Sequence, residues 1–357
     1  MELALFGFSY LLLLISVFNY FSIRVPKNRE RVTQSVTVLL PVRDEERHIE
    51  ECIRGLTSQE NVPHLRFIII DDQSSDKTAE LARVATKDDS RFSIINSDGP
   101  RPGWLGKVSA LQRGCDAAES EFIITLDADV RLQPAAISLA VNQLEDLKLD
   151  FISPYPRQES GSLIEKMIQP LLHWSWMTTV ILRLAEKIPH RSTAVANGQF
   201  FLVRKSALDA IDGFTSVQSK ILDDIEIARS LIAAGYRGVV TEGSAIAQTR
   251  MYRNFNEIKH GYGKSLHKAF GGALGGAIAI TFIFITGVLP VVLIFLGSPI
   301  GWLVYLTIVS TRALSDIRAK SAPIYAFLHP ISSLILIYLI IYSWKKRGAI
   351  QWKGRTV

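Results

Sequence analysis

The sequence predicts an α/β domain, a mostly parallel sheet covered by helices on both faces, set between apolar segments long enough to cross a membrane. Three observations predict it. Short apolar runs alternate with helical spacings from Val36 onward. Leu3–Ile23 and two stretches after residue 270 are almost continuously apolar. The 357 residues are 48% hydrophobic and 21% charged, and their mean hydropathy of +0.20 is high for a chain that meets only water.

Taken in order, Leu3–Ile23 is about long enough to span a bilayer. Arg24, Lys27, Arg29 and Arg31 follow it, with no small-residue cleavage site. That pattern predicts an uncleaved signal anchor over residues 1–24 whose C-terminal end lies in the cytosol. Val36–Leu40, Phe67–Ile70, Phe92–Ile95 and Phe122–Leu126 read as buried strands, and Glu46–Leu56, Thr78–Ala85 and Val108–Ala118 as the helices among them. Leu163–Leu184 carries Met167, Trp174, Trp176 and Met177 and is interrupted by Pro170. It reads as a helix lying at the membrane interface over 163–184, with a tryptophan-rich core helix as the alternative.

Ala273–Leu296 and Ile324–Trp344 predict C-terminal membrane spans within 272–344, and the short Ile300–Ser310 leaves their number at two or three. With three spans the basic tail, 345–357, which carries Lys345, Lys346, Arg347, Lys353 and Arg355, lies outside, against the positive-inside bias. With two it returns to the cytosol. The expected location is the cell membrane, multi-pass, with the central domain in the cytosol.

The formal net charge of +6 sits largely beside the apolar segments, where it orients them and meets anionic headgroups. No zinc finger, RNA-recognition sequence or basic helix accompanies it, so nucleic acid is not an expected partner. Cys52 and Cys115 form no CxxC pair and predict neither a zinc site nor a disulfide framework. No Walker A loop, G-x-G-x-x-G or Ser–His–Asp set occurs.

Four clusters carry chemistry. Asp71–Asp72 ends a strand, where α/β folds bind ligands, and a carboxylate there can accept from a base or a ribose hydroxyl; an Asx turn is the alternative. Asp127–Ala–Asp129 follows another strand; in extended chain its carboxylates point to one side and can hold a hard divalent cation against a diphosphate. Gly103–Trp–Leu–Gly–Lys107 places a lysine at a helix start, suited to phosphate. Asp223–Asp224 also opens a helix and offers a carboxylate base for an attacking hydroxyl, or simply favourable charge at a helix N-terminus.

In this order the clusters resemble the family 2 glycosyltransferases of the GT-A fold, over about residues 34–255. Pro41–Val–Arg–Asp44–Glu45–Glu46 is similar to that family's opening P-x-x-N-E-E, with Asp44 where Asn is usual. The resemblance implies a Rossmann-like GT-A domain. It also implies donor contacts from Pro41, Glu45, Asp72, Lys107 and Asp127, Mn2+ or Mg2+ held by Asp129 and Asp127, and Asp224 as catalytic base. Asn197–Gly198–Gln199 falls where the family often has an acceptor-side loop. Gly103–Lys107, Thr249–Arg253 and Trp352–Arg355 are similar to membrane-bound members associated with hopanoid or carotenoid-type lipid glycosylation. Gln248–Tyr252 partly matches the Q-x-x-R-W motif of processive synthases without its Arg–Trp, and Arg250 and Arg253 are further diphosphate contacts or headgroup contacts.

The implied reaction is inverting transfer from a nucleotide sugar, UDP-sugar first, to a membrane lipid acceptor. A polyprenyl-phosphate sugar or polysaccharide synthase of the same fold is the alternative enzyme, and a non-catalytic membrane scaffold the alternative of another class. The sequence assigns no oligomeric state.

Overall fold

The computed structural model describes residues 2–347 together with 351, 352, 355 and 356; Lys353 of the basic tail lies outside the described residues. The strands are β1 (Val36–Val42), β2 (Leu65–Asp71), β3 (Phe92–Asn96), β4 (Phe122–Leu126), β5 (Val130–Leu132), β6 (Phe151–Tyr155), β7 (Arg157–Gln158), β8 (Phe200–Arg204), β9 (Gly238–Glu242) and β10 (Ala247–Thr249). The helices are α1 (Glu2–Ser22), α2 (Ile49–Thr57), α3 (Thr78–Thr86), α4 (Gly106–Asp116), α5 (Ala136–Asp146), α6 (Leu163–Ile168), α7 (Pro170–Thr179), α8 (Leu182–Lys187), α9 (Lys205–Asp209), α10 (Asp223–Ala233), α11 (Phe255–Ala269), α12 (Ala273–Ile283), α13 (Leu289–Phe295), α14 (Pro299–Arg318) and α15 (His329–Lys345). The chain divides into two units: Arg24–Arg157 with Leu184–Thr249, and Met1–Ile23 with Gln158–Arg183 and Arg250–Val357.

The first unit is built on a seven-stranded sheet in the order β3-β2-β1-β4-β8-β6-β9. β1 pairs in parallel with β2 and β4, β2 with β3, and β6 with β9; β8 runs antiparallel to both its neighbours. β1 and β4 are buried on both faces, which is why they read as apolar runs and not as alternations. Val38, Leu40, Phe67 and Ile124 pack under Ile49, Ile53 and Leu56 of α2 and Ile137, Val141 and Leu144 of α5. Leu39, Ile68, Ile70 and Ile123 pack on the other face under Val108 and Leu111 of α4 and Ile227 and Leu231 of α10. The expected mostly parallel sheet with helices on both faces is therefore present, and its parallel strands all deliver their C-terminal ends to one edge.

The second unit is helical. Among the described residues, three helices are long and apolar enough to cross a membrane: Glu2–Ser22, Ala273–Phe295 and Pro323–Lys345. The middle one includes a π-helical turn, Phe284–Val288, just before Pro290, whose ring nitrogen cannot donate to the preceding turn. Ile300–Ser310 belongs to the longer helix α14.

The segment 163–184 breaks at Gln169–Pro170 and again after Thr179, and its residues up to Arg183 fall in the helical unit. The cause is burial. Met167, Ile168, Leu171 and Trp174 share one core with Leu12, Val304, Ile308 and Leu339. At the second break, Asn19 of α1 donates to the carbonyls of Met177 (2.9 Å) and Val180 (2.6 Å) and accepts from the Leu182 N–H (3.1 Å), serving backbone groups that helix hydrogen bonds leave open.

Candidate active site

The strand ends of the sheet unit gather the predicted residues. Pro41 lies opposite Ile70 in the β1–β2 register, and the Asp72 N–H donates to the Val42 carbonyl at 2.9 Å. Of the pair Asp71–Asp72, Asp71 makes the turn: its Oδ1 accepts from the Ser74 N–H (3.3 Å) and hydroxyl (2.5 Å). Asp72, 3% exposed, follows at the strand end. Asp44 has a φ of 51°, a left-handed conformation that Asn and Asp tolerate, and its Oδ1 accepts from the Ser75 N–H at 2.7 Å. Asp in place of Asn therefore keeps this local link between the β1 and β2 turns. The Glu45 N–H donates to the Thr78 hydroxyl at 2.7 Å, and the Glu45 carboxylate pairs with His48 at 2.9 Å.

Asp127 and Asp129 follow β4. The extended-chain expectation for this motif is corrected: the Val130 N–H donates to the Asp127 carbonyl at 3.1 Å, closing a tight turn between β4 and β5. Asp127 forms an ion pair with Lys107 at 2.6 Å, whereas Oδ1 of Asp129 is buried without a hydrogen-bond partner among the described residues. Burial, then the charges of Asp127 and Glu45, push the Asp129 carboxyl up to about 6.

Antiparallel pairing of β8 with β4 places Leu126 opposite Phe200, so the 197–199 loop meets the motif, and the Asp127 N–H donates to the Gln199 carbonyl at 3.3 Å. That loop also touches Asp224. The Gly198 N–H donates to Oδ2 of Asp224 at 2.7 Å, and the Ile225 N–H at the start of α10 donates to Oδ1 at 2.8 Å. A Cβ on Gly198 would stand 3.3 Å from Cβ of Asp224 and 3.4 Å from Nζ of Lys107. Burial, then the neighbouring Asp223, raise the Asp224 carboxyl to about 6 against the opposing donors. Burial disfavours the Lys107 ammonium, but Asp127, Asp223 and Asp224 together outweigh it and hold the lysine charged. One cation thus joins the carboxylate pair after β4 to the carboxylate pair opening α10.

Arg250 and Arg253 lie in the helical unit. The donor-contact expectation for Arg250 meets a structural competitor. Its Nε and Nη2 donate to the two carboxylate oxygens of Glu165 at 3.0 and 3.2 Å, and the same carboxylate accepts from the Ser162 N–H in a capping box on α6. The Arg253 N–H donates to Glu257 at 2.8 Å. The role of Gly198 as an amide donor to Asp224 was not legible in the sequence, since only the pairing of β8 beside β4 brings that loop to α10.

Residues 37–212 match the family described as Glycosyl transferase family 2. The chain carries a glycosyl transferase family 2 domain. The 4,4'-diaponeurosporenoate glycosyltransferase of Staphylococcus haemolyticus is 25% identical over 252 residues, which cover 67% of this chain and 63% of that protein, just under two thirds of its length. The protein of the same name from Staphylococcus aureus is 24% identical over 340 residues, 90% of this chain and 88% of its own. Among solved structures, a mannosyltransferase from Pyrobaculum calidifontis in complex with GDP-Man and Mn2+ matches with a TM-score of 0.58 at 17% identity, covering 97% of both chains. That likeness shows the GT-A fold.

Among the described residues of this transferase, no three or more His, Cys, Asp and Glu side chains are grouped to hold a metal ion by themselves. The donor set nevertheless suits a hard divalent cation that takes most of its ligands from a diphosphate and water: such an ion needs one or two carboxylates, and Asp129 has a buried oxygen still unpaired. The family match ends at residue 212, so Asp224 stands on geometry.

Proposed function

We propose that the protein is a membrane-bound, inverting, divalent-metal-dependent glycosyltransferase. It moves a sugar from a nucleotide sugar, UDP-sugar first, to a membrane lipid acceptor of isoprenoid type. The observation that carries the reading is the Lys107 bridge. A single ammonium faces Asp127, Asp223 and Asp224, so the carboxylates expected for metal and for base share one neighbourhood at the strand ends.

In this reading Pro41, Glu45 and Asp72 receive the nucleoside. Lys107 turns from Asp127 towards the diphosphate. Asp129, with Asp127, holds Mn2+ or Mg2+, which when bound offsets the diphosphate charge. Asp224 takes the proton from an acceptor hydroxyl, and the Gly198 and Ile225 N–H groups aim its two oxygens. The apolar helices hold the enzyme where an apolar acceptor dissolves, and the two diaponeurosporenoate glycosyltransferases, similar along much of the chain, support a carotenoid-like acid as that acceptor. The orientation in this reading is a cytosolic transferase domain in the cell membrane.

The test incubates radiolabelled nucleotide sugars with the full-length protein in membranes of its host and analyses the labelled product by mass. One sugar on a lipid, dependent on Mn2+ or Mg2+, is expected. A labelled polymer or a polyprenyl-phosphate sugar would replace this reading with a synthase, and absence of any transfer or donor hydrolysis would leave a non-catalytic protein.

A further inference from the structure

The strand that leaves the Asp127–Asp129 turn carries Arg131, a residue the proposed reaction does not use. Its Nη1 donates to the Ala128 carbonyl at 2.9 Å and to the Val130 carbonyl at 3.1 Å, and its Nε pairs with Glu51 of α2 at 2.8 Å. Ala128 and Val130 flank Asp129. One guanidinium nitrogen therefore holds the carbonyls on both sides of the residue expected to meet the metal, a grip that suits the rigid fork of arginine.

The surroundings make that grip stiff. β5 pairs with β10 through Arg131 opposite Gln248 and Val130 opposite Thr249. On the α2 side, a Cβ on Gly55 would stand only 3.3 Å from the Leu132 nitrogen, so helix and strand are already in close contact. Asp129 itself offers a buried oxygen without a hydrogen-bond partner among the described residues, and the Thr249 hydroxyl opposite Val130 bears on the same carboxylate. Glu51 is 63% exposed at its side chain, and an ion pair in that setting contributes little. The two carbonyl bonds carry the effect.

We propose that Arg131 is a positioning residue: it fixes the peptide units around Asp129 and thereby sets the affinity for the divalent cation, without touching donor or acceptor. The inference rests on the reading that Asp129 binds a divalent cation. Outer-shell partners of metal-ligating carboxylates change metal affinity by about 10- to 100-fold.

The test measures Mn2+ binding to the full-length protein in detergent with UDP present, by the electron paramagnetic resonance of free Mn2+, alongside thermal unfolding. Arg131→Met is expected to weaken Mn2+ binding by about 10- to 100-fold. Arg131→Lys, which keeps the charge and can still donate to a carbonyl, is expected to fall between Arg131→Met and wild type, and it decides the matter if Arg131→Met does not fold. Glu51→Gln should stay within about fivefold of wild type. If wild type binds Mn2+ and both Arg131 variants bind it equally well, the positioning role is overturned, even if they unfold at lower temperature. If wild type itself binds no Mn2+ with UDP, the metal reading fails and the inference falls with it.

Discussion

At the scale of the residue, Asp224 concentrates the chemistry and its cost. Its carboxyl sits near 6 because it is buried and faces Asp223. A base must be ionised, so kcat/KM is expected to fall about tenfold per pH unit below about 6 and to level off above it, in a pH–rate profile at saturating metal. Asp224→Asn should lower kcat by at least about 100-fold while leaving UDP and Mn2+ binding intact. Wild-type turnover in that variant would remove Asp224 from the base role. The stability sign follows from linkage. A raised carboxyl pKa means that the folded state holds a proton which the unfolded chain releases, so this group costs stability as pH rises from about 4 through about 6. At pH 7 the thermal midpoint of Asp224→Asn should therefore equal or exceed that of wild type.

At the scale of the element, α6 and α14 carry charges that serve the helical unit. The Glu165 side chain, 0% exposed, caps α6 and is neutralised by Arg250. Arg250→Ala should cost about 1–3 kcal/mol by leaving a buried carboxylate short of donors, and it should leave donor KM unchanged. A raised donor KM with unaltered unfolding would restore the diphosphate role instead. Arg312 of α14 is fully buried, donates to the carbonyls of Lys166 (3.3 Å) and Met167 (2.8 Å), and faces Asp316 at 3.8 Å. Removing one member of a buried pair strands the other's charge. Asp316→Ala is therefore expected to destabilise the protein in detergent by about 3–5 kcal/mol, and the double replacement Arg312→Met with Asp316→Leu by much less.

At the scale of the whole molecule, one helix near the N-terminus and two after residue 270 are, among the described residues, apolar enough to cross a membrane. If both helices after the transferase domain cross, the chain returns to the side it left, as the positive-inside rule predicts for Arg24–Arg31 and Lys345–Arg347. Reporter fusions after Arg31 and after Arg347 should both report the cytosol. Opposite sides would mean that α14 crosses as well.

Composition and periodicity were enough for the strands β1 to β4, the helices among them and the long apolar helices at both ends, because each is a local pattern: a buried parallel strand must be continuously apolar, and a long apolar run makes a long apolar helix. They also picked out Asp72, Asp127, Asp129, Lys107 and Asp224, since each closes a strand or opens a helix. What the acids do to one another is not local. The Lys107 bridge between two carboxylate pairs 96 positions apart in sequence (127 to 223), the Gly198 amide on Asp224 and the Glu165 claim on Arg250 arise only when distant segments meet. The segment 163–184 shows the same limit. Its tryptophans and its proline were legible, but that Trp174 is buried depends on which helices cover it, and only packing beside Leu12, Val304, Ile308 and Leu339 shows that.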